Sequence, residues 1–306
     1  MKVNVLIPLC NFNWDGGQFQ LERFGKIINC LPDLSKFESS LSKSEIEDYP
    51  KYLKYWLSFD QIQTDILTVN AKIEIFLLSL WIASPTKTQI KIHFESSKSV
   101  NGYDKYSVKR HLYWSQWNPG YTRDQIDNNI LKKVNEYIDS ITDIYLARKR
   151  LYIGLLLNLS GIFSISWQVA FICFSAAMEA ILTYSKHLGL TDRLAKSFAC
   201  LTESDNSNKD LAYKRFSELY KIRSDIMHGR AMNYDDENFN LKNLNDFEIL
   251  LRKVWQTILA CKHIIVELEK SDTEKKNFFA VIENRYKPPK ISPRSGNMPP
   301  TSCATP

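Results

Sequence analysis

The segment Arg223-Ser224-Asp225-Ile226-Met227-His228 is where residue types and spacing carry chemistry. A guanidinium is a rigid fork for carboxylate or phosphate oxygens, and an imidazole transfers a proton near neutral pH. At roughly 100° per residue, Phe216, Leu219, Tyr220, Ile226 and Met227 form one helical stripe with Arg223 in its middle. A guanidinium cannot be neutralised by losing its proton, so burying it unpaired is costly. Either it meets a carboxylate, or its face opens onto a site or a subunit interface. Glu179, inside an otherwise apolar stretch, is the natural carboxylate. His228 stands in the last helical turn, just before Gly229. Asp225, three positions earlier, is within reach of a ring nitrogen. Arg223 and His228 are five positions apart, about 140° around the helix. They converge only if the side chains reach around its end or if two copies of the helix meet. On the residues alone, an internal Arg–Glu pair and a histidine that merely caps a helix stay open.

No other constellation competes. The ten glycines are scattered, so there is no phosphate-cradling loop, and no H-x-x-x-H, C-x-x-C or G-x-S-x-G pattern occurs. His93, His111, His187 and His263 read as solitary structural residues, and Asp235-Asp236-Glu237 as solvated loop charge. No metal site and no cofactor are expected.

The elements that must hold these residues divide the chain. Residues 1–120 read as a mixed α/β domain of open role. Val3–Ile7 is a strand closed by Pro8, and Gln89–Phe94 alternates at period two. Val69–Ile82 fits a helix or a buried strand. The dense aromatics (Trp14, Tyr49, Tyr52, Tyr55, Trp56, Phe59, Trp81, Tyr103, Tyr106, Tyr113, Trp114, Trp117) are expected in cores and interfaces, since they are not interleaved with Arg or Lys in a repeating pattern. Residues 121–272 read as an all-α bundle with its core at about 150–270. Asn118-Pro119-Gly120 breaks the chain and Thr122 caps a helix carrying Ile126 to Tyr145. Further helices are expected over Lys149–Leu159, ended by Gly161, over Ser166–Tyr184, briefly from Thr191, over Lys209–Met227, and over Leu244–Glu269. Residues 284–306, with Arg285, Lys287, Lys290 and Arg294 among prolines, read as a flexible basic tail.

Composition sets the outer bounds. With 306 residues, 44% hydrophobic and 24% charged, the chain can bury a sizeable core. A net charge of +6 is compatible with a nucleic-acid partner. Cys10, Cys30, Cys173, Cys200, Cys261 and Cys303 are scattered, with Cys173 and Cys261 inside apolar helical patterns, which fits a reducing cytoplasm better than a disulfide scaffold. No run approaches the roughly 18 apolar residues of a membrane span, and the first ten residues read as a strand rather than a signal peptide.

Phe174-Ser-Ala-Ala-Met-Glu179-Ala-Ile-Leu, followed by Leu219-Tyr-Lys-Ile-Arg223-Ser-Asp-Ile-Met-His228-Gly229 before another long helix, resembles the HEPN superfamily, in particular its ApeA-like bacterial defence branch. The resemblance covers about residues 150–270. It implies a metal-independent endoribonuclease of toxin or anti-phage type, acting on RNA as a cytoplasmic homodimer without cofactor. An antitoxin or a phage-derived trigger would control it. Two R-x4-H segments would face each other across a cleft, with the Arg223 stripe as the dimer seam. His228 would be general base or acid and Arg223 would hold the scissile phosphate, with Glu179, Ser224 and Asp225 in support. Many members place Asn, Asp or His directly after the arginine, where this chain has Ser224. The alternative is a catalytically inactive HEPN module binding nucleotide, RNA or a partner protein. A helical protein with no nucleic-acid role is the third reading.

Overall fold

The computed structural model describes residues 2–29, 32–43, 45, 53–86, 88–99, 101–113, 125–164, 166–184, 189–229, 237–284 and 286–288. The breaker at 118–120, the Thr122 cap, Asp235-Asp236 and the tail beyond residue 288 lie outside them, as do Tyr49, Tyr52, Trp114, Trp117 and His187.

The chain is α+β. Six strands make one antiparallel sheet: β1 (Lys2–Pro8), β2 (Gln18–Leu21), β3 (Gly25–Ile28), β4 (Trp56–Ile62), β5 (Ile90–Lys98) and β6 (Asp104–Tyr113), in the order β2-β3-β4-β1-β5-β6. The period-two alternation sorts side chains onto two faces. Leu6, Trp56, Ile92 and Phe94 lie under a short 3-10 helix, Ser35–Ser40, whose Phe37 meets Phe94 edge-on at 5.0 Å. Val5, Ile7, Leu57 and Phe59 face the helices. The sharp turn into β3 needs Gly25, with φ of +79° and the Ser58 carbonyl where a Cβ would stand.

The helices are α1 (Val69–Ala83), α2 (Asn128–Ala147), α3 (Arg150–Ile162), α4 (Trp167–Leu182), α5 (Leu190–Thr202), α6 (Asn206–Met227), α7 (Glu237–Ala260), α8 (Lys262–Leu268) and α9 (Asp272–Glu283). The ambiguous stretch at Val69 is helix α1. It is apolar all round because it touches both layers: Lys72 sits over the Phe59 ring of β4 (5.0 Å), and Trp81 stacks on Phe174 of α4 (6.0 Å). Trp81 Nε1 donates to buried Glu248 of α7 (2.5 Å), and Arg252 Nε donates to the Trp81 carbonyl (2.7 Å). One hydrophobic cluster therefore runs from Val5 to Tyr286, across the boundary expected near residue 120.

Six helical expectations need correction. Asp127 caps α2 through the Ile130 amide (2.7 Å), so Ile126 precedes the helix, and α7 begins at Glu237 rather than Leu244. Gly161 lies inside α3 rather than ending it, because its missing Cβ admits the Phe174 ring. Asp205 caps α6 through the Asn208 amide (2.8 Å), so the helix begins before Lys209. The long helix expected to Glu269 breaks at Cys261, which has extended backbone and is exposed rather than interior. Helix α9 was not anticipated and carries the helical region past residue 272; its Ser271–Glu274 capping box was the readable signal.

Candidate active site at the end of helix α6

Helix α6 inserts its stripe into its own chain. Phe216, Leu219 and Tyr220 are buried, with Phe216 stacked on Phe198 of α5 (5.2 Å) and tilted against Phe247 of α7 (6.0 Å). This overturns the expectation that the stripe is a seam between two chains: its upper part is intramolecular core. Only toward the C-terminal end does it open, with Ile226 half-buried and Met227 53% exposed.

Arg223 sits at that transition. Its Nη2 lies 3.2 Å from Oε1 of Glu179 on α4, and the two side chains are 32% and 25% exposed. The carboxylate alternative therefore holds, and the paired arginine is still reachable from solvent. Tyr220, one turn earlier, donates its hydroxyl to the same Glu179 oxygen. The Arg223 guanidinium carbon stands 5.8 Å from the Tyr220 ring centre. Burial, with the hydrogen bond to the Glu179 carboxylate, pushes the Tyr220 phenol well above its ordinary range, and the Arg223 charge only partly offsets this. The phenol is thus a permanent donor to Glu179. Sequence reasoning missed Tyr220 as a polar partner; a Tyr three positions before a stripe-centred Arg was the available signal.

His228 is the C-cap residue of α6 and is exposed, with its backbone amide donating to the Ser224 carbonyl (3.0 Å). Gly229 follows at φ +60°, the left-handed conformation that turns the chain off a helix end. Ser224 and Asp225 occupy the last turn, half-buried. The structure thus brings Arg223 to Glu179 and keeps His228 on the same helix end. Among the described residues no hydrogen bond joins Arg223 to His228.

A second cluster corrects the view of His93 and His111 as solitary. Their rings stack with centres 4.8 Å apart, and His93 Nδ1 lies 2.5 Å from His111 Nε2. His93 Nε2 lies 3.0 Å from Glu95 Oε1, which also accepts from Lys109 (2.8 Å); Ser107 donates to the other Glu95 oxygen (3.2 Å). Burial pushes His93 down. Burial, then the neighbouring His93 and Lys109, push His111 down to about 4. His93 and Glu95 share a strand face, but only the β5–β6 register reveals His111.

Among the described residues no group of three or more His, Cys, Asp or Glu is poised to hold a metal, and no helix is long and apolar enough to cross a membrane. No family model, curated protein or solved structure matches the chain.

Proposed function

We propose that this protein is a metal-independent endoribonuclease of HEPN type, a cytoplasmic toxin or anti-phage effector that cleaves RNA as a homodimer. The observation that carries the reading is the state of Arg223. It is fixed by Glu179, remains 32% exposed, and shares a helix end with the exposed His228. In this reading Arg223 holds the scissile phosphate and its developing charge. His228 takes the 2′-hydroxyl proton or returns one to the leaving oxygen. The 2′-oxygen attacks phosphorus and the bond to the 5′-oxygen breaks, leaving a 2′,3′-cyclic phosphate and a 5′-hydroxyl. DNA, lacking the 2′-hydroxyl, is not cut. A second copy supplies the convergence that about 140° of separation on one helix denies.

The Glu179 contact also favours a second reading. A carboxylate already neutralises Arg223, as expected for an inactive module that binds nucleotide, RNA or a partner protein. RNA cleavage in EDTA separates the two. Wild type is expected to produce cyclic phosphates from cellular RNA, and Arg223→Ala and His228→Ala to produce none. If none of the three cleaves, expression in cells decides. Toxicity lost in both variants supports a nuclease gated by an antitoxin or trigger, and equal growth of all three supports the binding module.

A further inference from the structure

We infer that Tyr220 is a positioning residue for Arg223, acting through Glu179; this rests on the reading of Arg223 as the phosphate-holding group. Glu179 is an acidic residue on an apolar helix, flanked by buried Met178 and Ile181. Its Oε1 accepts from two donors, the Tyr220 hydroxyl and Arg223 Nη2. A carboxylate on a flexible stem, held only by a part-exposed arginine, has several ways to meet it. A second donor fixed in the core removes that freedom.

Tyr220 is such a donor. The residue is 4% exposed and its ring stacks nearly parallel on Phe216, with centres 5.8 Å apart. Order then passes from the packed ring to the hydroxyl, to the carboxylate, to the guanidinium. A guanidinium carries five N–H donors, and those not engaged by Glu179 are left for an anion at the open side. Fixed orientation matters because a fork misplaced by about 1 Å can cost on the order of 100-fold in rate. The ring beneath the guanidinium adds a second restraint on the same side chain.

Tyr220→Phe tests this, since it keeps the ring and deletes only the hydroxyl. The activity-independent readout is side-chain 15N NMR of the arginines in the full-length chain. Wild-type Arg223, identified by its loss in Arg223→Ala, is expected to show slow rotation about its guanidinium bonds. In folded Tyr220→Phe that rotation is expected to speed up several-fold. On RNA, kcat is expected to fall about 10-fold with KM within twofold, and Tyr220→Phe in a Glu179→Gln background to add almost nothing. Unchanged Arg223 rotation in Tyr220→Phe overturns the inference whatever the enzyme does. So does a loosened guanidinium with unchanged kcat. A tyrosine-dependent, ordered guanidinium in a wild type that cuts no RNA and grows in cells as Arg223→Ala and His228→Ala do supports the positioning link and overturns the ribonuclease reading instead. Should Tyr220→Phe fail to fold, 3-fluorotyrosine at position 220 makes the hydroxyl a stronger donor to the same carboxylate, so Arg223 rotation is expected to slow, and unchanged rotation there also overturns the inference.

Discussion

Lys275 on α9 is fully buried, and its ammonium donates to the carbonyls of Ile181 and Thr183, the latter at 3.1 Å. These carbonyls end α4, and Arg150 also donates to that of Thr183 (2.6 Å). Burial first, then the positive charge of Arg150, push Lys275 down to about 7, against the opposing pull of Asp272 and Glu269. An unfolded lysine titrates near 10.4. From about pH 7 to that value the unfolded chain therefore holds a proton that the folded chain does not. Stability must rise with pH across this window, and the penalty is full below it. One proton sets the limiting slope at about 1.4 kcal/mol per pH unit. The two carbonyls and the negative end of α4 favour the ammonium and blunt that slope, so the gain from about pH 7.5 to 9.5 is expected to be about 1–2 kcal/mol. Lys275→Met keeps the stem and removes the titration. Urea denaturation of both proteins across that range gives the measurement. The wild-type stability minus that of Lys275→Met should increase with pH by this amount. A difference that stays constant would refute the reasoning, because the ammonium would then keep its proton throughout. A difference that falls would reverse its sign.

Two further outcomes follow from the packing. His111, held down at about 4 against an ordinary 6.5, leaves the folded chain short of a proton that the unfolded chain binds below pH 6.5, so stability falls as pH drops through this window. His111→Phe keeps a stacking ring and should flatten that part of the acid profile by on the order of 1–2 kcal/mol, allowing for partial exposure, read by thermal melts between about pH 4 and 7. Gly161→Ala would place a Cβ 2.4 Å from the Phe174 ring, so it should cost about 1–3 kcal/mol in denaturant titration; a neutral result would show that the ring moves freely.

The helical half was legible because its stripes are one-sided. Ile130, Val134, Ile138 and Ile141 are all buried, as their spacing required, and so are Phe171, Phe174 and Met178. Arg223 was likewise legible as an anomaly, and Glu179 as its partner, since each interrupts an apolar face. What failed depended on contacts between distant segments. Gly161 reads as a helix stop unless Phe174 is known to need its space. Met227 and Phe216 share a stripe, yet one is exposed and the other is core, because the bundle ends before the helix does. Strands β2 and β3 left weak signals because they are four residues each, and β4 because Trp56 and Leu57 bury both of its faces. The His93–His111 pair depends on strand register, which neither segment encodes alone.

The same packing constrains how the end of α6 could work. With Phe216, Leu219 and Tyr220 committed to the chain's own core, the apolar stripe can meet a second copy only at its last turn, around Arg223, Met227 and His228. A standard interface buries roughly 800 Å² per partner, so a homodimer built on this site would draw on surface beyond that last turn. Helix α1 ties the N-terminal region to the same core. Trp81 of α1 bonds Glu248 and accepts from Arg252, both on α7, while Phe247 of α7 packs on Phe216 of α6.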